Sequence, residues 1–284
     1  MNQHRGVGVN AHLARKELLV KVKQWGMDTV RGDVNWPDVE PERGTFIWDG
    51  IDQFVNDLTD VGLNGFLTIA YTPAWACEGN PNNSTPPTDP MDVFRFVRAV
   101  VDRYKHAISA WGLWNEPESR WNGSIASFVN VVMEYGARAI READPNALVC
   151  GPETGKTDTL REIMRRGGGD HLDVITFHVY ASDGHKVMRT VKNTIEPILR
   201  QAGMIGKPRW LTETGWNTHK VSEAQQANYI DQVLESFPNS GLDMMLLFDL
   251  IDEGHGWGLL QSDTGDKLCV ATVRARIQQQ RAVV

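Results

Sequence analysis

The amino-acid sequence predicts an α/β protein folded as a single (β/α)8 TIM barrel over residues 1–284, and three observations carry that prediction. Short β-rich runs alternate with stretches of helical period from one end of the chain to the other, as a parallel sheet demands. Eight such runs are present, a number that favours a closed barrel over a doubly wound sheet. A length of 284 residues suits one barrel of roughly 250 residues and leaves little for a second domain.

The first run, residues 6–12, leads into a helix over 14–25, where Leu18, Leu19, Val22 and Trp25 share one face and Gly26 follows as a stop. Residues 27–36 form the second strand. Its helix carries Ile51, Phe54, Val55, Leu58 and Val61 and closes on Gly62. The third strand covers 63–72. A Pro- and Asn-rich stretch, 81–90, is a surface loop within that unit, whose helix spans 90–104 with Val93, Phe94, Val97, Val100, Val101 and Tyr104. The remaining strands fall at 108–114, 147–151, 174–180, 209–213 and 244–248. Ser222 with Gln225 forms a capping box that opens the seventh helix, which runs to about residue 237.

Composition narrows the function. Hydrophobic residues at 41% and charged residues at 23% describe a soluble globular chain with a sizeable core. A net charge of -7 argues against nucleic-acid or anionic-membrane binding and suits a neutral substrate. Cys77, Cys150 and Cys269 lack the spacing of a zinc or redox motif and read as packing thiols. The amino terminus has no apolar signal-peptide core, so the chain reads as cytoplasmic; a secreted protein whose leader had been removed would read the same way. A monomer without cofactor or metal is expected.

Barrel active sites lie at the carboxyl ends of the strands. Strand four ends in Trp114-Asn115-Glu116-Pro117 and strand seven in Thr212-Glu213-Thr214-Gly215-Trp216, so two glutamates face each other across the mouth. Such a pair suits glycoside hydrolysis: one carboxyl protonates the leaving oxygen while the other attacks the anomeric carbon. Repulsion between the two is expected to raise the pKa of the acid, and the carboxyls should stand about 5 Å apart for retention, against roughly 6.5 to 9.5 Å for inversion.

These residues resemble the retaining glycoside hydrolases of clan A, particularly families 5 and 39, over nearly the whole chain. The resemblance implies that Glu116, in Asn115-Glu116-Pro117, is the acid/base, that Asn115 binds the sugar 2-hydroxyl, and that Glu213, in Glu213-Thr214-Gly215, is the nucleophile. It further implies that Arg31 and Tyr180 hold the nucleophile ionised, with His178 in a supporting place. At strand eight the customary Trp is missing from Leu246-Leu247-Phe248-Asp249, and Phe248 or Trp257 is expected to supply the platform.

Trp36, Trp75, Trp121, Trp216 and Trp257 fall at or beyond strand ends, where an indole face can stack on a sugar, and are expected to contact substrate with Phe248. Trp25, Trp48, Trp111, Trp114 and Trp210 lie inside elements and read as packing. An isolated Asn-Glu-Pro is a routine strand exit, Arg31 is also a plain ion-pair partner in other settings, and His178 fits a hydrogen-bonded core histidine; the joint occurrence at successive strand ends is what points to chemistry. Glu78, Glu118 and Glu153 read as solvated or supporting. Gly151 to Thr157 has one residue too few for a phosphate loop, and His178, His185, Glu213 and Asp249 lack metal-site spacing. The sequence thus points to an endo-acting, endoglucanase-like enzyme on β-linked oligosaccharides or polysaccharides. The alternatives are an exo-acting β-xylosidase-like enzyme, a binding barrel without turnover and a metal-dependent hydrolase.

Overall fold

A computed structural model describes residues 6–80 and 82–282. Residues 1–5 and 283–284, at the ends of the predicted domain, and Pro81, the first residue of the predicted 81–90 loop, lie outside the described residues. Eight parallel strands follow in sequence order: β1 (Gly6–Asn10), β2 (Thr29–Asn35), β3 (Asn64–Ala70), β4 (Ala110–Leu113), β5 (Leu148–Thr154), β6 (Val174–His178), β7 (Arg209–Thr214) and β8 (Met244–Leu247). Each pairs with its successor and β8 pairs with β1, so the sheet closes as the sequence predicts.

The helices cover the outside of the barrel for the reasons the sequence suggested. Lys16–Gln24 turns Leu18, Leu19 and Val22 inward, and Asp49–Val61 ends on Gly62, whose φ of 72° makes a left-handed cap that glycine adopts without a Cβ penalty. Pro90–Tyr104 begins as predicted, with the Asp89 side chain accepting from the Met91 N–H. Ser222 and Gln225 satisfy each other's backbone in a complete capping box at the start of Glu223–Ser236. No helix among the described residues is long and apolar enough to cross a membrane. The three cysteines are buried and unpaired.

Inside the barrel, residues two apart along a strand share a face. At the amino-terminal end that face forms an apolar plug of Phe66, Ala110, Cys150, Val174, Trp210, Met244 and Leu246. Phe66 meets Trp210 edge to face at 5.4 Å. Gly8 completes the layer, because a Cβ there would stand 2.7 Å from the Leu246 side chain and 2.1 Å from the Thr29 carbonyl. The plug seals the bottom of the barrel and leaves its upper layers, toward the carboxyl ends, to polar residues.

Strand lengths differ from the sequence reading at both ends of the range. β4 is shorter than 108–114, since Trp114 has a φ of 71° and turns the chain out of the sheet, whereas β5 continues past Gly151 to Thr154. Truncating the plug should be costly: Phe66→Ala is expected to destabilise by about 3–5 kcal/mol, lowering the melting temperature by on the order of 10 °C in calorimetry.

Candidate active site

The polar layers are shaped by irregularities in strand register. Pairing shifts between Pro152 and Thr154, between Phe177 and His178, and between Leu211 and Thr214. A bulge of this kind re-aims the side chains around it, and these three bring Glu153, His178 and Glu213 into the barrel. Glu116 has a φ of 46° and Glu153 one of 49°, left-handed conformations that a glutamate holds only when its surroundings impose them. The two are tied directly, since the Glu116 N–H donates to the Glu153 carbonyl at 2.9 Å.

At the centre lies Arg31, fully enclosed, with every nitrogen engaged. Nε donates to Glu153 Oε2 at 2.8 Å and Thr68 Oγ1 at 3.0 Å; one terminal nitrogen donates to Asn10 Oδ1 at 2.8 Å and Glu213 Oε1 at 3.1 Å; the other donates to Asn115 Oδ1 at 2.8 Å. Asn10 in turn donates to the carbonyls of Thr212 and Leu247, which locks β1 to the tops of β7 and β8. Tyr180 donates its hydroxyl to Glu213 Oε2 at 2.7 Å. Both oxygens of Glu213 are therefore held by donors.

His178 sits among the carboxylates. Its Nδ1 lies 3.2 Å from Glu116 Oε1 and 3.5 Å from Glu213 Oε2. An atom from each of Glu116, His178 and Glu213 falls within 4.8 Å of the other two, so the glutamate oxygens approach each other to that distance or less. The same spacing would suit a metal, yet burial, which works against charge on His178, is outweighed by the field of Glu213 and the bond to Glu116, and its pKa rises to about 9. An imidazolium thus fills the cationic place among these acids near neutral pH. The set considered from sequence, His178 with His185, Glu213 and Asp249, does not assemble: His185 is exposed on the helix Gly184–Thr190, and Asp249 faces His12.

The electrostatics correct one expectation. Repulsion from Glu213 was to raise the pKa of Glu116, but the hydrogen bond from His178 is the strongest influence on that carboxyl, and the net shift is downward. Burial opposes charge on Arg31, but Glu153, Asp33 and Glu213 together overcome it and the pKa is raised. Burial and Glu213 both push Tyr180 upward, so its hydroxyl keeps the proton it donates.

Of the residues singled out in the sequence, Glu116, Glu213, Arg31, Asn115, His178 and Tyr180 come together. The aromatic residues divide. Tyr180, 40% exposed, lies 5.2 Å from Trp257 and 6.3 Å from Phe248 between ring centres, and these three form a cluster beside Glu213. Trp75 is half-buried, with its indole N–H on the Glu40 carbonyl. Trp36, Trp121 and Trp216 are only 3%, 6% and 5% exposed. Their indole N–H groups are spent on Glu40, on Ser124 with Ser127, and on Ala181, and Trp36 stacks on Phe96 at 5.0 Å. These three pack the walls, contrary to the contact role expected of them, because a strand end can direct an indole outward between helices as readily as into the mouth.

Glu153 is the main residue the sequence reading undervalued. It is 0% exposed and bonded to Arg31 and Thr68. A signal existed in Gly112: a Cβ there would fall 2.0 Å from Glu153 Oε1, so β4 leaves room for a large neighbour. His12 was also passed over. It is half exposed at the rim, with Nδ1 2.5 Å from Asp33 and Nε2 3.3 Å from the buried Asp249.

Comparison with known proteins follows from this geometry. The family model described as Cellulase (glycosyl hydrolase family 5) matches residues 1–247. Endo-1,4-beta-xylanase 1 of Gibberella zeae is 30% identical over 97 residues, which is 33% of this chain and 27% of that protein. The match spans between 27% and 37% of the length of such curated relatives. Among solved structures, a family 39 glycoside hydrolase from Bacteroides cellulosilyticus superposes with a TM-score of 0.82 at 20% identity, covering 99% of this chain and 65% of that one. The exo-beta-1,4-mannosidase Op5Man5 of an Opitutaceae bacterium gives 0.78 at 17%, covering 99% and 60%. At these identities the structural likeness speaks for the fold.

The His12 clamp makes a pH-dependent contribution with a defined sign. The proximity of Asp249 and the bond to Asp33 raise the folded pKa to about 10, above the value of about 6.5 in an unfolded chain. The contribution is therefore complete below about pH 6.5 and lost as pH rises through 10. His12→Asn, which tolerates the φ of 48° at this position, should be less stable than wild type at pH 6. Urea denaturation at a series of pH values should show that difference shrinking above pH 6.5 and vanishing past 10.

Proposed function

The chain belongs to the cellulase family, glycosyl hydrolase family 5, and from that premise we propose that it hydrolyses β-linked glycans with retention, using Glu213 as nucleophile and Glu116 as acid/base. The observation that carries the proposal is the approach of the two carboxyl groups, with oxygens within 4.8 Å. That spacing falls on the side of direct attack, since inversion needs roughly 6.5 to 9.5 Å to seat a water.

In the first step a Glu213 oxygen bonds to the anomeric carbon as the glycosidic C–O bond breaks, and the departing oxygen takes a proton from Glu116. Arg31 and Tyr180 orient Glu213 through one oxygen each, which restricts the carboxylate to a fixed attack direction. Glu116 is an anion at rest, and the proton it must deliver is within reach on His178 Nδ1 at 3.2 Å. Passing it leaves a neutral imidazole and a protonated carboxyl. In the second step Glu116, again a base, takes a proton from water as the water oxygen attacks the anomeric carbon and the bond from that carbon to Glu213 breaks.

The reading extends to a monomeric barrel that needs neither cofactor nor metal and engages neither nucleic acid nor membrane, with a neutral β-linked oligosaccharide or polysaccharide as substrate. Tyr180, Phe248 and Trp257 supply the apolar surface for a sugar ring, an assignment supported by their clustering beside Glu213. Endo action is the first reading, in keeping with the endo-1,4-beta-xylanases among the relatives. Exo action is favoured by one feature: the segment after β3 is tied down through Trp75 to Glu40, through Thr88 to Ala76 and through Ser84 to Asn122, which raises one wall of the mouth.

Incubation with β-glucans, mannans, xylans and aryl β-glycosides, followed by mass spectrometry, tests these readings. Wild type should cleave at least one with retained configuration, and Glu213→Gln should be slower by about 10³-fold or more; unimpaired Glu213→Gln would refute the mechanism. Mixed oligosaccharides among early products mark endo action, single sugars exo action. Trp257→Ala should lower kcat/KM by about 5- to 10-fold, a loss of roughly 1 kcal/mol, with little change in melting temperature.

A further inference from the structure

Three glutamates, not two, occupy the centre of this barrel, and the third is the most deeply placed. Glu153 Oε2 receives the Arg31 Nε donor at 2.8 Å and stands 3.9 Å from His178 Nε2, while Oε1 accepts from Thr68 at 2.9 Å. Its backbone is fixed at both ends: the N–H donates to Thr176 Oγ1 at 3.0 Å, and the carbonyl accepts from Glu116. The neighbouring strand supplies Gly112, where any side chain would collide with the carboxylate. A group held in a left-handed conformation, at a register shift, opposite an obligatory glycine, is specified by its surroundings from every side.

The geometry assigns Glu153 as a positioning residue for the pair above it: its carboxylate braces Arg31 from below and sets the charge of His178, and through these two it governs Glu213 and Glu116. Without Glu153, Arg31 would answer to Glu213 alone among the glutamates, and its Nε would keep only the neutral Thr68 hydroxyl of its two acceptors. His178 would keep its bond toward Glu116 but lose the one carboxylate among the described residues within 4 Å of Nε2, a buried nitrogen that has no hydrogen-bond partner among them. At 3.9 Å that contact is charge against charge, and in a buried site such a pair is felt strongly. The other charged groups around His178 are Glu116 beyond β4, Glu213 on β7, and Arg31 and Asp33 on β2, with Arg31 alone opposing its charge. The adjacent Cys150 thiol is pushed upward by burial and by Glu153 and stays neutral.

Glu153→Gln takes an acidic group away from a point 3.9 Å from His178 Nε2, so the proton shared by His178 and Glu116 should leave at lower pH. This inference rests on the proposed glycosidase reading for its kinetic consequence, but its charge consequence is independent of turnover.

The test is a titration of the histidine imidazoles by nitrogen-15 NMR in wild type and in Glu153→Gln, beside the pH profile of kcat/KM. His178 in wild type should remain charged through about pH 8, and Glu153→Gln should lower its midpoint by one unit or more, with the alkaline limb of the profile moving by the same amount. Glu153→Asp, which returns the charge, should restore both in part. Equal His178 midpoints in wild type and Glu153→Gln would overturn the assignment and leave Glu153 a packing group. If Glu153→Gln does not fold, the wild-type titration still decides, because a His178 that turns neutral near pH 6.5 is incompatible with the role. Absence of activity in wild type on every glycan would count against the glycosidase reading alone, since the imidazole titration stands without it.

Discussion

The guanidinium of Arg31 is the interaction on which the rest of this site depends. It reaches Asn10 on β1, Thr68 on β3, Asn115 after β4, Glu153 on β5 and Glu213 on β7, so one side chain from β2 ties five other segments of the barrel together. Removing a charge from water costs several kcal/mol, and that cost is offset only where geometry satisfies every donor. Here each nitrogen has an acceptor, and the planar fork of arginine allows these contacts at fixed angles. Lysine, with one point of charge, has no equivalent geometry. The apolar plug below makes the arrangement possible, since Phe66, Trp210 and Leu246 exclude water from the floor on which the polar layer rests.

The second constraint is the placement of positive charge among three acids. Two facing carboxylates suggest mutual repulsion as the source of an acid that keeps its proton. With His178 beside both of them, the centre behaves differently: Glu116 is drawn downward by the imidazole, and the imidazole is raised to about 9. The imidazole and the carboxyl stand 3.2 Å apart, and in such a coupled group a proton belongs to the set rather than to one residue.

The aromatic residues show how little a strand-end position says about a side chain's use. Trp257, Phe248 and Tyr180 gather around Glu213, whereas Trp36, Trp121 and Trp216, from equivalent places along the chain, pack between helices. Beyond a strand the chain leaves the strict alternation of inward and outward faces. A tryptophan two residues past the end of pairing therefore points wherever the local turn sends it.

What the sequence determined by itself is what depends on local periodicity. Eight β/α units, the stops at Gly26 and Gly62, the cap at Ser222 and the arrival of Glu116 and Glu213 at strand ends all follow from spacing within about fifteen residues, and the barrel bears them out. The resemblance to clan A added Arg31, Asn115, His178 and Tyr180, which the fold gathers around the two glutamates. The tertiary structure alone decided that β5 runs on to Thr154 and bulges at Glu153, that Gly112 stands opposite to admit it, and that His178 Nδ1 lies close to both Glu116 and Glu213. These are relations between strands far apart in sequence. A register shift moves a side chain to the other face of the sheet without altering any local pattern, so no spacing rule records it, and the charge of each group is set by neighbours that only closure of the barrel brings within reach.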